Sequence, residues 1–235
     1  MKSIIIASTS TIHGSGYLEY LLDELKLLFK STDEILFIPY ARPSGISYDA
    51  YTQIASKAFN SIGKSIKGIH QFKNPKDAVA NAKGIFVGGG NTFVLANQLY
   101  KNDVLVSIKT AVNQGTPYLG TSAGSNICGL TLNTTNDMPI VYPPSFKTLG
   151  LVPFNINPHY LDPIAGSTHM GETRETRIKE FHAFNTQPVI GLREGSWIGI
   201  KDNTLTLKGE LKARIFEHGK APYELETNSD LGFLK

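Results

Sequence analysis

Five short apolar runs punctuate the first half of the chain: "SIIIAS" (Ser3 to Ser8), "EILFIPYA" (Glu34 to Ala41), "SIKGIH" (Ser65 to His70), "KGIFVGGG" (Lys83 to Gly90) and "TPYLGTS" (Thr116 to Ser122). Several are apolar at every position instead of at alternate ones, the pattern of strands covered on both faces. Between the first two, Leu18, Leu21, Leu22, Leu25, Leu28 and Phe29 recur at three- and four-residue spacing, which predicts an amphipathic helix. Strand and helix patterns alternate to about residue 120, so the expected class is α/β, with a mostly parallel central sheet and helices on both faces.

The pattern changes near the C-terminus. "PVIGLREGSWIGIKDNTLTLKG", Pro188 to Gly209, holds short alternating segments with turns at Glu194-Gly195 and Asp202-Asn203. That predicts antiparallel strands at a sheet edge. No repeat, low-complexity tract or linker interrupts the chain, and residues 1–235 read as one domain.

Composition narrows the function classes. With 23 basic and 20 acidic residues the formal charge is +3, and no block of like charge suggests a nucleic-acid partner. Cys128 is the single cysteine, which excludes an internal disulfide and a cysteine-based zinc site. The apolar run after Met1 is shorter than a signal peptide requires, and no stretch approaches the roughly 18 apolar residues of a membrane span. A cytoplasmic protein without membrane contact is the expectation.

In open parallel sheets, ligands bind beyond the carboxyl ends of the strands. Three such loops carry candidate chemistry. Gly120-Thr121-Ser122-Ala123-Gly124 fits Gly-x-Ser-x-Gly, whose small residues permit the sharp strand-to-helix turn that exposes a nucleophilic serine. A plain helix cap at Ser122 is the competing reading. "VGGGNTF", Val87 to Phe93, could aim a free N–H at a developing oxyanion, or could be only a turn; it lacks the spacing of a dinucleotide or phosphate loop. "INPHYLDP" brackets His159 between Pro158 and Pro163, a rigid setting for a general base that the other histidines lack.

Such a pair needs a carboxylate to orient the imidazole. Asp137, in "TTNDMPIV", and Glu194, in "GLREGSW", both lie near turns beside apolar segments, and spacing does not choose between them. In "GETRETRIKEFHAF", Ile178, Phe181 and Phe184 form an apolar stripe that continues back through Arg174 and Arg177. Either arginine could bind a carboxylate, or both could belong to a surface network with Glu175 and Glu180.

Taken together, "FIPYA", "IFVGGGNTF", "GTSAGSN", "TTNDMPIV", "INPHY", "GETRETRI" and "IGLREGSWI" resemble the peptidase E group of α-aspartyl dipeptidases, in the serine peptidase family that also contains cyanophycinase. The resemblance implies a fold similar to the class I glutamine amidotransferase domain, a flavodoxin-like sheet with serine in place of cysteine. It implies release of N-terminal aspartate from Asp-X dipeptides, without cofactor or metal, by a monomer or homodimer. By motif match Ser122 is the nucleophile and His159 the base, while the third member is described in the family both as the residue matching Asp137 and as that matching Glu194. Ala123 with Gly89 or Gly90 would form the oxyanion hole, Arg174 would bind the aspartate side chain, and Asn91 is taken as a second substrate contact. The chain departs from the peptidase E pattern at Thr121, where Trp is common, and at "YPPSF" after "NDMPIV".

Three other readings compete. An α/β-hydrolase esterase shares Gly-x-Ser-x-Gly, but the short interval between Ser122 and His159 leaves little room for its intervening elements. A cyanophycinase-like or isoaspartyl peptidase is compatible with Thr121. A catalytically silent binding protein on the same scaffold is the third, although every matching catalytic residue is present. Cys128 as nucleophile is disfavoured, since it falls inside the helix predicted after Ser122.

Overall fold

The computed structural model describes residues 2–163, 166, 168 and 170–234. In chain order, β1 (Ser3–Ala7), α1 (Leu22–Leu28), β2 (Glu34–Ile38), α2 (Tyr48–Asn60), β3 (Ser65–Gly68), α3 (Pro75–Asn81), β4 (Ile85–Val87), α4 (Thr92–Lys101), α5 (Leu105–Asn113) and β5 (Tyr118–Thr121) realise the alternation seen in the sequence. The short α6 (Ala123–Asn126) follows β5 directly. After it come β6 (Asn155–Pro158), α7 (Arg174–His182), β7 (Val189–Leu192), β8 (Trp197–Lys201), β9 (Thr204–Lys208), β10 (Ala213–Phe216) and β11 (Tyr223–Leu225).

A seven-stranded sheet runs in the order β3-β2-β4-β5-β1-β8-β9. Its first five strands are parallel, and β8 and β9 add antiparallel at the β1 edge. The continuously apolar strands are explained by this placement, because each feeds two cores at once. Ile4 and Ile6 of β1, Leu36 and Ile38 of β2, Ile85 and Val87 of β4 and Tyr118 of β5 enter one core. Ile5, Ala7, Ile35, Phe37, Phe86 and Leu119 enter the other, against α1 and α2. At roughly 1.5–3 kcal/mol for each large side chain fully buried, both faces contribute to holding the strands.

The C-terminal region differs from its expectation in one respect. The hairpin of β8 and β9 is the antiparallel edge read from the sequence, but β7 joins a second, four-stranded sheet of order β11-β10-β7-β6. Within it β6 and β7 pair in parallel, which the alternating pattern of Pro188 to Gly209 does not reveal. The apolar stripe proposed for residues 178–184 is also shorter than its spacing suggests. Ile178 is buried with Tyr160, Val189 and Phe216, and Phe181 packs on this cluster, but α7 ends at His182 and Phe184 is 93% exposed.

Candidate active site

β1, β2, β4 and β5 are parallel, so the loops after them emerge on one side of the sheet. At the end of β5 the chain turns into α6 without a spacer. Ser122, between them, has φ 53° and ψ −111°, a conformation disfavoured for residues with a side chain. The turn is held from below: Ser122 N–H donates to the Ala7 carbonyl at 3.2 Å, and the buried Ser125 hydroxyl bonds the Ala7 and Gly120 carbonyls at 2.6 and 2.7 Å. Gly124 is required by close approach, because a Cβ there would run into the Val87 carbonyl of β4. The small residues of "GTSAG" therefore perform the function read from them, and Ser122 is no ordinary helix cap: its side chain makes no capping bond.

The Ser122 hydroxyl stands 2.9 Å from His159 Nε2, and His159 Nδ1 stands 2.6 Å from Glu194 Oε1. A carboxylate only accepts, so Nδ1 carries the proton and Nε2 is left to accept from the serine. His159 follows Pro158 at the end of β6, with φ 53°. Its N–H donates to Ser8 Oγ at 2.9 Å, while the same buried hydroxyl donates to the Leu192 carbonyl at 2.7 Å. Ser8 thereby ties β1 of the first sheet to β6 and β7 of the second. No local signal in the sequence marks it beyond its place at a strand's carboxyl end.

Asp137 lies elsewhere. Its Oδ2 accepts from the N–H and the hydroxyl of Thr92, both at 2.7 Å, and from Thr135 Oγ1 at 3.0 Å. It serves the first turn of α4, where a carboxylate is favoured by free N–H groups and the helix dipole. The neighbouring Asn136 donates to the Pro158 carbonyl at 2.7 Å and accepts from Asn157 at 2.8 Å. The run "TTNDMP" thus clamps the chain entering His159, and Glu194, not Asp137, meets the imidazole.

The glycine turn is similarly differentiated. Gly89 N–H already donates to the Tyr51 hydroxyl at 3.0 Å. Gly90 N–H and Ala123 N–H have no acceptor among the described residues. Gly90 needs its glycine: φ is 143°, and a Cβ would strike the Ala41 carbonyl. The Asn91 side chain is committed, its Oδ1 accepting from Val94 N–H at 3.1 Å as the α4 cap and its Nδ2 donating to the Met138 carbonyl at 2.9 Å.

Arg174 is the first residue of α7, capped by Thr173, and it forms no ion pair or hydrogen bond among the described residues. Burial lowers its pKa, as does the like charge of Arg177, while the charge of Asp137 opposes them. Arg177 faces Glu172 instead, at 3.8 Å, and Glu175 bonds Lys179 and Arg214. The expected network of Arg174 and Arg177 with Glu175 and Glu180 does not form among the described residues: Glu175 turns to Lys179 and Arg214, and Arg177 to Glu172.

The remaining groups sort away from the site. Burial pushes the Cys128 thiol up to about 12, and its sulfur contacts the Gly124 carbonyl, so it holds no thiolate at neutral pH. His70 pairs with Asp49 and His182 bonds the Gln187 carbonyl, while His169 lies outside the described residues. Thr121 is buried in β5 with its hydroxyl unpartnered among the described residues. Among the described residues no group of three or more potential ligands is arranged to hold a metal ion, and no helix is long and apolar enough to cross a membrane.

A family model described as peptidase family S51 matches residues 4–208. Peptidase E of Streptomyces coelicolor is 47% identical over 232 residues, covering 99% of this chain and 94% of that one. A Drosophila melanogaster protein named "Probable alpha-aspartyl dipeptidase" is 45% identical over 236 residues, covering 99% and 97%. The crystal structure of a peptidase from an acI-B1 Actinobacterium superposes with a TM-score of 0.74 over 98% of this chain and 96% of that one, and at 18% identity it shows a shared fold. On the family match and on relatives this similar across nearly its whole length, the chain belongs to peptidase family S51.

Proposed function

We propose that this protein is a serine dipeptidase that releases N-terminal aspartate from Asp-X dipeptides through an acyl-enzyme on Ser122. The hydrogen-bonded series Ser122, His159, Glu194 carries this reading, and the names of the relatives supply the substrate class. His159 Nε2 takes the serine proton as Oγ attacks the aspartyl carbonyl, and Glu194 holds the ring and stabilises its charged form. Gly90 N–H and Ala123 N–H receive the oxyanion; loss of one such donor typically costs roughly 3–4 kcal/mol of transition-state stabilisation. The imidazolium then protonates the leaving amine, and water, activated by the same histidine, releases aspartate.

Arg174 supplies the cation for the aspartate side chain. A partly buried guanidinium with no ion pair among the described residues selects an acidic residue locally, which a net charge of +3 spread over the surface does not. Asp137 and Asn91 act through position, fixing the start of α4 beside the glycine turn. The cytoplasmic setting, the single-domain organisation and an active unit of one or two copies belong to the same proposal.

The test is hydrolysis of Asp-Leu beside Glu-Leu, Asn-Leu and isoaspartyl-Leu, with Ser122→Ala as the control. Turnover confined to Asp-Leu and abolished by Ser122→Ala is expected. Turnover of Asp-Leu by a folded Ser122→Ala variant would sink the mechanism. Preference for isoaspartyl-Leu would favour the cyanophycinase-like reading, to which the Thr121 departure points.

A further inference from the structure

A second guanidinium near the nucleophile is also without an acidic partner among the described residues. Arg42 follows Ala41 in the loop after β2, and the Ala41 carbonyl accepts from Asn91 N–H at 2.7 Å, which binds this loop to the glycine turn. Its guanidinium carbon sits 4.5 Å from the centre of the Tyr51 ring. The Tyr51 hydroxyl in turn accepts from Gly89 N–H, contacts the Gly89 carbonyl at 3.3 Å and receives the Tyr17 hydroxyl at 3.3 Å. Gly89 borders the nucleophile, since a Cβ on it would stand 2.9 Å from Ser122 Cβ. Arg42 is thus stacked on the residue that braces the turn beside the reacting serine.

Its own hydrogen bonding is incomplete. Arg42 Nε is buried and has no partner among the described residues, and the side chain forms no ion pair with any of them. A buried, unsatisfied donor on a permanent cation is costly in the unliganded protein, and a planar anion satisfies it with two parallel bonds. Arg174 has a different neighbourhood. It senses Asp137, which sits at α4, while Tyr51 belongs to the core on the α1 and α2 face of the sheet. The two arginines thus have different neighbours, Tyr51 for Arg42 and Asp137 for Arg174.

An Asp-X dipeptide carries two carboxylates flanking its one peptide bond, the aspartate side chain and the terminal carboxylate of X. We propose that Arg42 binds the terminal carboxylate of the departing residue, as Arg174 binds the aspartate side chain, so that the two cations measure a dipeptide about the scissile bond. This rests on the dipeptidase reading given above. It explains why cleavage would be confined to dipeptides: in a longer peptide the second carboxylate moves out of reach and an uncharged amide faces Arg42.

Initial rates on Asp-Leu, Asp-Leu-amide and aspartyl p-nitroanilide, with wild type, Arg42→Ala and Arg42→Gln, test the assignment. Wild type should favour Asp-Leu over Asp-Leu-amide by about tenfold or more in kcat/KM, mainly through KM. Both variants should lose about 10- to 100-fold on Asp-Leu and almost nothing on the two substrates without the terminal carboxylate, with melting temperatures close to wild type. Equal losses on all three substrates overturn the assignment, as does equal use of Asp-Leu and its amide by wild type, a comparison that needs no variant to fold. If wild type turns over none of the three substrates, the dipeptidase reading itself is overturned.

Discussion

Nδ1 of His159 and Oε1 of Glu194 lie 2.6 Å apart, although the two residues enter the site from different elements, His159 just past β6 and Glu194 in the turn between β7 and β8. Because β6 and β7 pair in parallel, with Pro158 opposite Leu192, their ends are carried to the same place. The contact therefore follows from the register of the second sheet.

Glu194→Gln should lower kcat/KM on Asp-Leu by about 10²- to 10⁴-fold with little change in melting temperature, since the amide no longer enforces the tautomer with a proton on Nδ1. Asp137→Ala should instead destabilise the fold by about 1–3 kcal/mol, because Thr92 N–H loses its acceptor. Parallel measurement of rate and denaturant midpoint separates the two, and a larger rate loss in Asp137→Ala would reverse the roles.

Ser8→Ala removes the acceptor for His159 N–H, whereas the Leu192 carbonyl still receives Tyr160 N–H at 3.1 Å. The expected stability loss is about 1–3 kcal/mol. Displacement of the imidazole should also reduce kcat by about 10- to 100-fold, with KM less affected. Steady-state kinetics on the folded variant check this, and an unchanged kcat would remove Ser8 from the positioning of the base.

The backbone conformation at Ser122 opposes stability. A side chain held in such a region costs about 1–3 kcal/mol, while glycine loses about 0.5–1 kcal/mol of chain entropy in compensation. Ser122→Gly should therefore be inactive yet melt about 2–4 °C higher, as about 1 kcal/mol implies for a chain of this size. A lower melting temperature would mean that the Ser122 side chain contributes more to packing than its strain removes.

Arg193, next to Glu194, bonds Asp162 through Nε and Nη2 at 2.8 and 2.7 Å, and Glu224 through Nη1 and Nη2. The bonds from Arg193 hold Asp162 below its ordinary value. Burial pushes Glu224 upward, but bonds from Arg193 and Arg214 outweigh it and its pKa is also lowered. Groups with depressed folded pKa values stabilise the protein above their unfolded values, near pH 4, and that contribution disappears as pH falls through the folded ones. Stability should thus decline below about pH 4, and Arg193→Ala should flatten that decline while costing about 1–3 kcal/mol at neutral pH. Urea midpoints across pH measure both.

Cys128 should resist iodoacetamide at pH 8 in the native protein and react readily in urea, because burial holds its thiol near 12. Cys128→Ala should keep full turnover of Asp-Leu. Loss of turnover with an unchanged fold would reopen the thiol as a participant.

Much of this architecture is legible in the chain because the relevant physics is local. Runs such as "SIIIAS" and "GIFV" are apolar at every position only where both faces of a strand are covered, so the parallel sheet follows from them. The elbow at Ser122 is marked by the residues that its backbone demands, and His159 by the prolines around it. The choice of Glu194 over Asp137, and of Gly90 over Gly89, is not legible, because each depends on which partner a distant element delivers. Thr92 occupies Asp137, and the Tyr51 hydroxyl occupies Gly89 N–H. The second sheet, with Ser8 linking it to β1, arises from pairings between segments far apart in sequence whose hydrophobic patterns do not name their neighbours. Local sequence thus determined the elements and the nucleophile's turn, while docking of the two sheets decided which carboxylate, which amide and which cations surround it.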